Sequence, residues 1–353
     1  MRNYDYENKW QKLLTPDIVG YLTTIHEYKG QQHLIANRHA DVLTDLMELA
    51  LIQSTESSNK IEGIYTSDER LKKIVMDKTM PKTRDEREIA GYRDVLHTIH
   101  ENYEHIPVKS AFILQLHRDL YKFEDVRIGG NFKSADNIIE ERDLQGNKIV
   151  RFRPVAAWET PEAVERLCKA YQNVMNKENA DPLLIIPMFI LDFLCIHPFR
   201  DGNGRMSRLL TLLLLYKSGY LVGKYISIER LIEKTKGSYY NMLQESSGNW
   251  HEEANDYAPF VKYMLGVIVA AYREFMERTK LIEEKKVSKP DRIAEEVKNH
   301  IGTITKAELL KIVPDVSQTT VQRTLTDLVR QKKVIKIGQG RYTKYTWNWD
   351  RED

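Results

Sequence analysis

Two apolar runs constrain this chain more than any other feature. "LLIIPMFILDFLCI" covers Leu183 to Ile196, and "LLTLLLLY" covers Leu209 to Tyr216. Segments this apolar must leave water, either for lipid or for a protein core. A membrane-spanning helix needs about 20 consecutive apolar residues. The first run has fourteen residues, Pro187 and Asp192 among them, and the second has eight. Both therefore read as buried core helices, with no membrane partner. The N-terminal "MRNYDYENKWQKLL" mixes acids with bases and has no apolar signal segment. A cytoplasmic protein is expected.

The chain has 353 residues, which implies two or three packed units. With 42% hydrophobic and 29% charged residues it has the composition of a globular protein with sizeable cores. A net charge of +2 favours neither a nucleic-acid nor a membrane partner for the chain as a whole. Cys168 and Cys195 lie among apolar neighbours and read as buried thiols; two are too few for a disulfide framework or a zinc site.

Most of the chain has helical periodicity. Helices are expected over Pro16–Tyr28 and from His33 to about Asn59, the latter with Leu43, Leu46, Leu49, Ala50 and Gln53 on one stripe. A further helix places Ile89, Tyr92, Leu96 and Ile99 on one side, and another runs from Val108 to about Phe123. From Gly129 to Arg153 the period falls to two, with a turn at Asp143–Asn147, so a β-hairpin interrupts the helices. Helix resumes at Thr160. A long helix that turns charged after Tyr272 leads to a break at Ser288-Lys289-Pro290. Beyond it, three short helices precede strands around Gly338-Gln339-Gly340, the pattern of a winged helix-turn-helix. The fold class is mainly α with a small α+β tail. The expected regions are 1–107, 108–286 and 287–353.

Between the two apolar runs lies "HPFRDGNGRMSR", His197 to Arg208. A helix start leaves its first N–H groups without intrahelical partners at the positive end of the dipole, a ready anion site. Gly202 and Gly204 let an anion approach the backbone, and Asn203 adds an amide donor. Arg205 and Arg208, three residues apart, share a helix face and suit phosphate oxygens. Asp201 would repel phosphate unless Mg²⁺ bridged the two. His197 is the nearby side chain whose ordinary pKa suits a general base. Together these suit phosphoryl or nucleotidyl transfer to a hydroxyl. On residues alone, a helix–loop–helix corner with ordinary surface arginines remains the other reading. No Walker P-loop occurs.

The string resembles the Fic motif, H-x-F-x-[DE]-G-N-G-R-x-x-R, without departure, and the likeness extends over roughly Ser54 to Tyr272. The resemblance implies a Fic-type helical domain with a β-hairpin flap, and transfer of AMP from ATP to a Ser, Thr or Tyr hydroxyl of a target protein, with release of pyrophosphate. It casts His197 as the base and Asp201 as the Mg²⁺ ligand. Gly202, Asn203 and Gly204 become the anion hole, and Arg205 and Arg208 contact the β- and γ-phosphates. Phe199 anchors the loop. The hairpin, about Phe132 to Pro154, becomes a flap on which the target adds a strand; otherwise it is a plain surface hairpin. The related Gly-x-[FY]-Arg reads Gly130-Asn131-Phe132-Lys133 here, with Lys for Arg. "SYYNMLQESS" resembles a Tyr-Tyr helix and points to Tyr240 at the adenine, with Ser247 where some relatives have Asn.

"SSNKIEGI" ends the helix expected over about 40–63. Alone, Glu62 reads as a surface acid before a C-cap glycine. In the family context, Ser58, Glu62 and Gly63 match the inhibitory motif [ST]-x-x-x-E-[GN]. That implies a glutamate paired with Arg208, low basal activity, self-AMPylation on release and, in some relatives, removal of AMP. Family members often form homo-oligomers.

From Ser288 to Asp353 there are thirteen Lys and Arg against nine Asp and Glu, a net of +4. Gln318, Thr319, Thr320, Gln322 and Arg323 suit base edges or phosphates, with Lys336, Arg341 and Lys344 on the wing. DNA binding and simple protein packing both fit. The alternative function is thus a winged-helix DNA-binding regulator whose Fic core senses nucleotides.

Overall fold

The computed structural model describes residues 2–38, 40–124, 128–142, 148–286, 288–300, 302–340 and 343–349. The expected hairpin turn at 143–147 and the wing residue Arg341 lie outside these. The chain opens with α1 (Tyr6–Lys9), α2 (Pro16–Arg38), α3 (Ala40–Ile61), α4 (Asp68–Val75), α5 (Arg84–Asn102) and α6 (Ser110–Leu120). An antiparallel pair, β1 (Ile139–Arg142) and β2 (Lys148–Phe152), follows. Next come α7 (Thr160–Asn176), α8 (Pro182–Ile196), α9 (Asn203–Lys217), α10 (Ile228–Lys234), α11 (Lys236–Ser247) and α12 (Ala258–Lys286).

The two apolar runs are the inner parts of α8 and α9. Every residue from Leu183 to Phe193 and from Met206 to Tyr216 is buried. Helices apolar all round need neighbours on all sides. α7 and α9 pack on α8, while α3 lies against α5 and α10. The one acid in the first run, Asp192, is fully buried yet satisfied. It accepts from Tyr6 Oη at 2.7 Å, Trp250 Nε1 at 2.7 Å and Tyr257 Oη at 2.9 Å, with Arg2 Nε at 3.5 Å. A buried carboxylate demands such partners. They tie the N-terminal segment to the helix that carries His197.

The helices differ from the sequence reading in two places. α2 runs without a break through Lys29 and Gly30 to Arg38. One glycine costs a helix only about 1 kcal/mol, and neighbouring turns absorb it. On α3, Leu43, Leu46 and Ala50 are buried, but Leu49 is exposed. The stripe is therefore narrower than the spacing suggested. The four buried residues expected on α5, Ile89, Tyr92, Leu96 and Ile99, are all in the core.

The chain divides into two compact units, Met1–Met276 and Glu277–Asp353. The division falls within α12 rather than after it, because the buried apolar stripe of α12 ends at Phe275. Regions 1–107 and 108–286 do not separate as units. The second unit holds α13 (Lys289–Asn299), β3 (Ile304–Thr305), α14 (Lys306–Ile312), α15 (Gln318–Arg330), β4 (Val334–Ile337) and β5 (Lys344–Trp347). Ser288 caps α13 by accepting from the Asp291 N–H, so the expected break is a helix start. Thr305 and Glu308 form a reciprocal capping box on α14. The sheet order is β3-β5-β4, all antiparallel. β3 is one strand more than the periodicity revealed; two residues are too short to carry a period. Ile293, Val297, Leu309, Val321, Leu325 and Tyr345 share this unit's core. Among the described residues no helix is long and apolar enough to cross a membrane.

Candidate active site

α8 ends at His197, whose φ of 50° and ψ of 61° are left-handed. Few non-glycine residues adopt this conformation. Pro198 follows and has no N–H to prolong the helix. The chain then loops through Phe199, which is fully buried and stacked on His117 with ring centroids 3.6 Å apart. Asn203 closes the loop: the Phe199 N–H donates to its Oδ1 at 2.9 Å, and its Nδ2 donates to the Phe199 carbonyl at 2.8 Å. Both ends of this amide are committed to the loop. Asn203 thus shapes the turn, and one of its two Nδ2 hydrogens stays outside this pair of bonds. Gly202, with φ of 82°, is the N-cap of α9 and provides no side-chain cap, so the opening amides of α9 keep their anion-binding capacity.

Across this helix start stands the end of α3. The Ile64 N–H donates to the Asn59 carbonyl and the Gly63 N–H to the Lys60 carbonyl, both at 3.0 Å, with Gly63 at φ 80°. This double bond pattern is a Schellman turn. Glu62 is therefore the C-cap of α3, where the helix dipole disfavours a carboxylate. Arg208 compensates: its Nη2 donates to Glu62 Oε1 at 2.7 Å and to the Ser58 carbonyl at 2.9 Å, and its Nε donates to Ser58 Oγ at 2.8 Å. Burial, the largest single influence, lowers the pKa of Arg208, but Glu62 together with Tyr239 and Tyr92 outweighs it and the net shift is upward. Glu62 also lies directly over Gly204. A Cβ there would sit 2.1 Å from Oε1. The space that glycine leaves at the helix start is filled by the protein's own carboxylate.

Glu62, His197, Gly204, Arg208 and Tyr240 line one cavity of about 490 Å³, with Ile139 and Phe152 of the hairpin at its rim. Tyr240 is half-buried on α11, and burial pushes its hydroxyl up to about 12. Arg151 of β2 donates to the Tyr240 carbonyl and lies 5.4 Å from the Tyr240 ring centroid, which ties the hairpin to α11.

Residues 107–215 match the model of the Fic/DOC family. Protein adenylyltransferase fic-1 of Caenorhabditis elegans is 30% identical over 165 residues, 46% of this chain and 27% of that protein. A Fido domain-containing protein of Dictyostelium discoideum is 31% identical over 91 residues, 24% of this chain and 58% of that protein. The chain thus spans less than two thirds of the length of these relatives. The crystal structure of a Fic family protein from Desulfovibrio desulfuricans G20 superposes with a TM-score of 0.62 at 20% identity, covering 96% of this chain and 98% of that one. This chain carries a Fic/DOC family domain over residues 107–215.

In this Fic domain the two motif arginines do not share a face in practice. Arg208 turns to α3. Arg205 is buried toward α5 and α6, where its Nη2 meets Glu88 Oε2 at 2.7 Å and Tyr121 Oη at 2.8 Å. Three residues of helix turn a side chain by about 300°, so the two arginines meet different carboxylates, the buried Glu88 and the partly exposed Glu62.

Burial lowers the His197 pKa to about 4, with Lys133 acting in the same direction and the Leu194 carbonyl and Glu62 against it. The imidazole is therefore neutral at physiological pH and able to accept a proton. Several residues that support the loop have no motif signal. His117 on α6 accepts from the Gly130 N–H at Nδ1 (3.0 Å), and its Nε2 lies 3.1 Å from the Asp201 carbonyl. The first contact places the ring proton on Nε2, which donates. Lys133 donates to the carbonyl of Ile196 at 3.1 Å and to Asn137 Oδ1 at 2.9 Å, and burial lowers its pKa to about 8. The departure from Arg at this position drew attention to Lys133; nothing in the sequence distinguishes His117, Glu88 or Tyr121.

Asp201 fits a Mg²⁺ ligand. Its Oδ1 accepts from the Gly202 N–H at 2.6 Å, and the side chain is 52% exposed. No cluster of three or more His, Cys, Asp or Glu able to hold a metal occurs among the described residues. A lone accessible carboxylate suits a hard cation that takes its other ligands from phosphates and water.

Proposed function

We propose that this protein is an auto-inhibited protein adenylyltransferase, moving AMP from ATP to a Ser, Thr or Tyr hydroxyl of a protein target. The placement of Glu62 carries this reading. Its carboxylate occupies the Arg208 fork and stands over Gly204, where a triphosphate would lie. Like charges repel there, so ATP binds poorly or with its α-phosphate badly aligned. With Glu62 withdrawn, the parts assume their roles. The amides at Gly202–Gly204 receive phosphate oxygens, with Arg205 on the β- and Arg208 on the γ-phosphate. Tyr240 flanks the adenine. Neutral His197 takes the proton of the target hydroxyl as its oxygen bonds to the α-phosphorus. The bond between the α-phosphorus and the bridging oxygen breaks, and that oxygen leaves with pyrophosphate. Asp201 would hold Mg²⁺, which when bound offsets phosphate charge. The target segment would pair with an edge of the hairpin.

The C-terminal unit reads as a winged helix. Ser317 caps α15, and Gln318, Thr319, Gln322 and Arg323 are exposed on it. That face supports the second reading, a DNA-binding regulator whose Fic core only senses nucleotides. The two part on one measurement: label transfer from α-labelled ATP by Glu62→Gly, with and without His197→Ala. Transfer that needs His197 supports the enzyme. A Glu62→Gly protein that transfers no label, yet shifts duplex DNA in a salt-dependent way, supports the regulator.

A further inference from the structure

We infer that α5 builds the phosphate end of this site: Glu88 is a positioning residue that aims Arg205, and Arg84 is an added contact for the departing pyrophosphate. This rests on the proposed AMP transfer and deepens it. The Arg205 side chain is 1% exposed, so its charge must be answered inside the protein. Glu88, itself 3% exposed, does so at 2.7 Å, helped by Tyr121 Oη at 2.8 Å. Both contacts fall on Nη2. The Arg205 Nε and Nη1 are buried and have no hydrogen-bond partner among the described residues. Buried donors without partners are rare, because each loses its water for nothing. Two on one guanidinium, beside an anion-binding helix start, mark a fork held ready for a ligand's oxygens.

Glu88 has a second oxygen, and Arg84 Nε donates to it at 2.9 Å. One buried carboxylate therefore anchors two arginines, one turn apart on α5 in the case of Arg84. The Arg84 side chain is 69% exposed, and its Nη2 comes within 3.9 Å of Asp201 Oδ2. Arg205 Nη2 lies 3.9 Å from Asp201 Oδ1. Asp201 thus stands between the tips of both arginines. A phosphate drawn to Asp201 by a cation would meet Arg84 on its solvent side and Arg205 on its buried side. When the bridging P–O bond breaks, negative charge accumulates on the leaving pyrophosphate, and donors already fixed in place stabilise it best. Neither Glu88 nor Arg84 belongs to the 197–208 motif.

The test is calorimetric titration of the Glu62→Gly protein with ATP, pyrophosphate and AMP in Mg²⁺ buffer, repeated with Arg84→Ala or Glu88→Gln added. AMP lacks the phosphates concerned. Removing a charged contact is expected to weaken ATP and pyrophosphate about tenfold in each variant, with AMP affinity unchanged. Arg84→Lys should recover part of the loss. Arg84 is exposed, so its removal leaves the fold intact, and thermal melts report on Glu88→Gln. If ATP and AMP weaken together, or neither weakens, the inference falls. A Glu62→Gly parent that neither binds ATP nor transfers AMP would sink the underlying reading, and this one with it. If that parent is active and both variants match it, only the role of α5 is lost.

Discussion

Arg208 and Arg205 leave the same turn of α9 and meet opposite fates. The Arg208 fork is taken up by Ser58 and Glu62 of α3. The Arg205 fork is gripped at one nitrogen by Glu88 and Tyr121 and keeps two donors without partners among the described residues. On the proposed reading, one side of the site is closed by a carboxylate and the other is braced for a ligand. Activity would then need no remodelling of the phosphate end, only a shift of the C-cap residue Glu62. Because α3 is packed between α5 and α10 and bonded through Ser54 to the buried Glu229 at 2.7 Å, release is expected at the Glu62 turn, with the helix body in place.

The largest effects should come from breaking this contrast outright. Glu62→Gly frees Arg208 and the cradle, and α-label transfer is expected to rise by about 10²-fold; adding His197→Ala should remove about 10²-fold or more, as loss of a general base does. Equal rates for Glu62→Gly and wild type would show that Arg208 is not the restrained side. The loop between the arginines comes next. Asn203→Ala leaves the buried Phe199 N–H unpaired and its carbonyl with only Asn137 Nδ2 at 3.3 Å, at about 2 kcal/mol in chemical denaturation. A variant of wild-type stability with weakened ATP binding would make Asn203 a phosphate donor rather than a support of the loop. Ser58→Ala removes the bond to Arg208 Nε, and a rise in transfer of about threefold is expected, since Glu62 keeps Nη2. The smallest effect is a pH dependence common to both sides. Burial lowers His100 to about 3, and His117 and His197 to about 4. Unfolded histidine titrates near 6.5, so below that pH the unfolded chain binds protons that the native state refuses. The histidine contribution should be flat above about pH 7.5 and fall as the pH drops through 6.5 toward 4. A lower Tm at pH 5.5 than at pH 7.5 would be seen by calorimetry.

Much of the fold was legible because its strongest signals are local. The apolar runs of α8 and α9, the stripe on α5, the capping box at Thr305 and the break at Ser288 each follow from residues a few positions apart. The signals failed where several turns had to be weighed together. α2 passes through Gly30 because its neighbouring turns hold it, and two-residue β3 exists only because β5 lies beside it.

At the site the division is sharper. The string from His197 to Arg208 by itself determined a base, an accessible carboxylate and an anion-binding helix start, since spacing along one loop and one helix sets them. The Glu62–Gly63 pair likewise contained both a C-cap and a carboxylate, and the structure uses both. Only the tertiary structure decided where the arginines point, that Asn203 bonds across its own loop, and that Glu88 and His117 support the motif from other helices. The physical reason is burial. An arginine in water has no fixed partner, but one excluded from water must find a carboxylate. Which carboxylate is near depends on how α3, α5 and α6 pack around α9, over separations that no local spacing encodes.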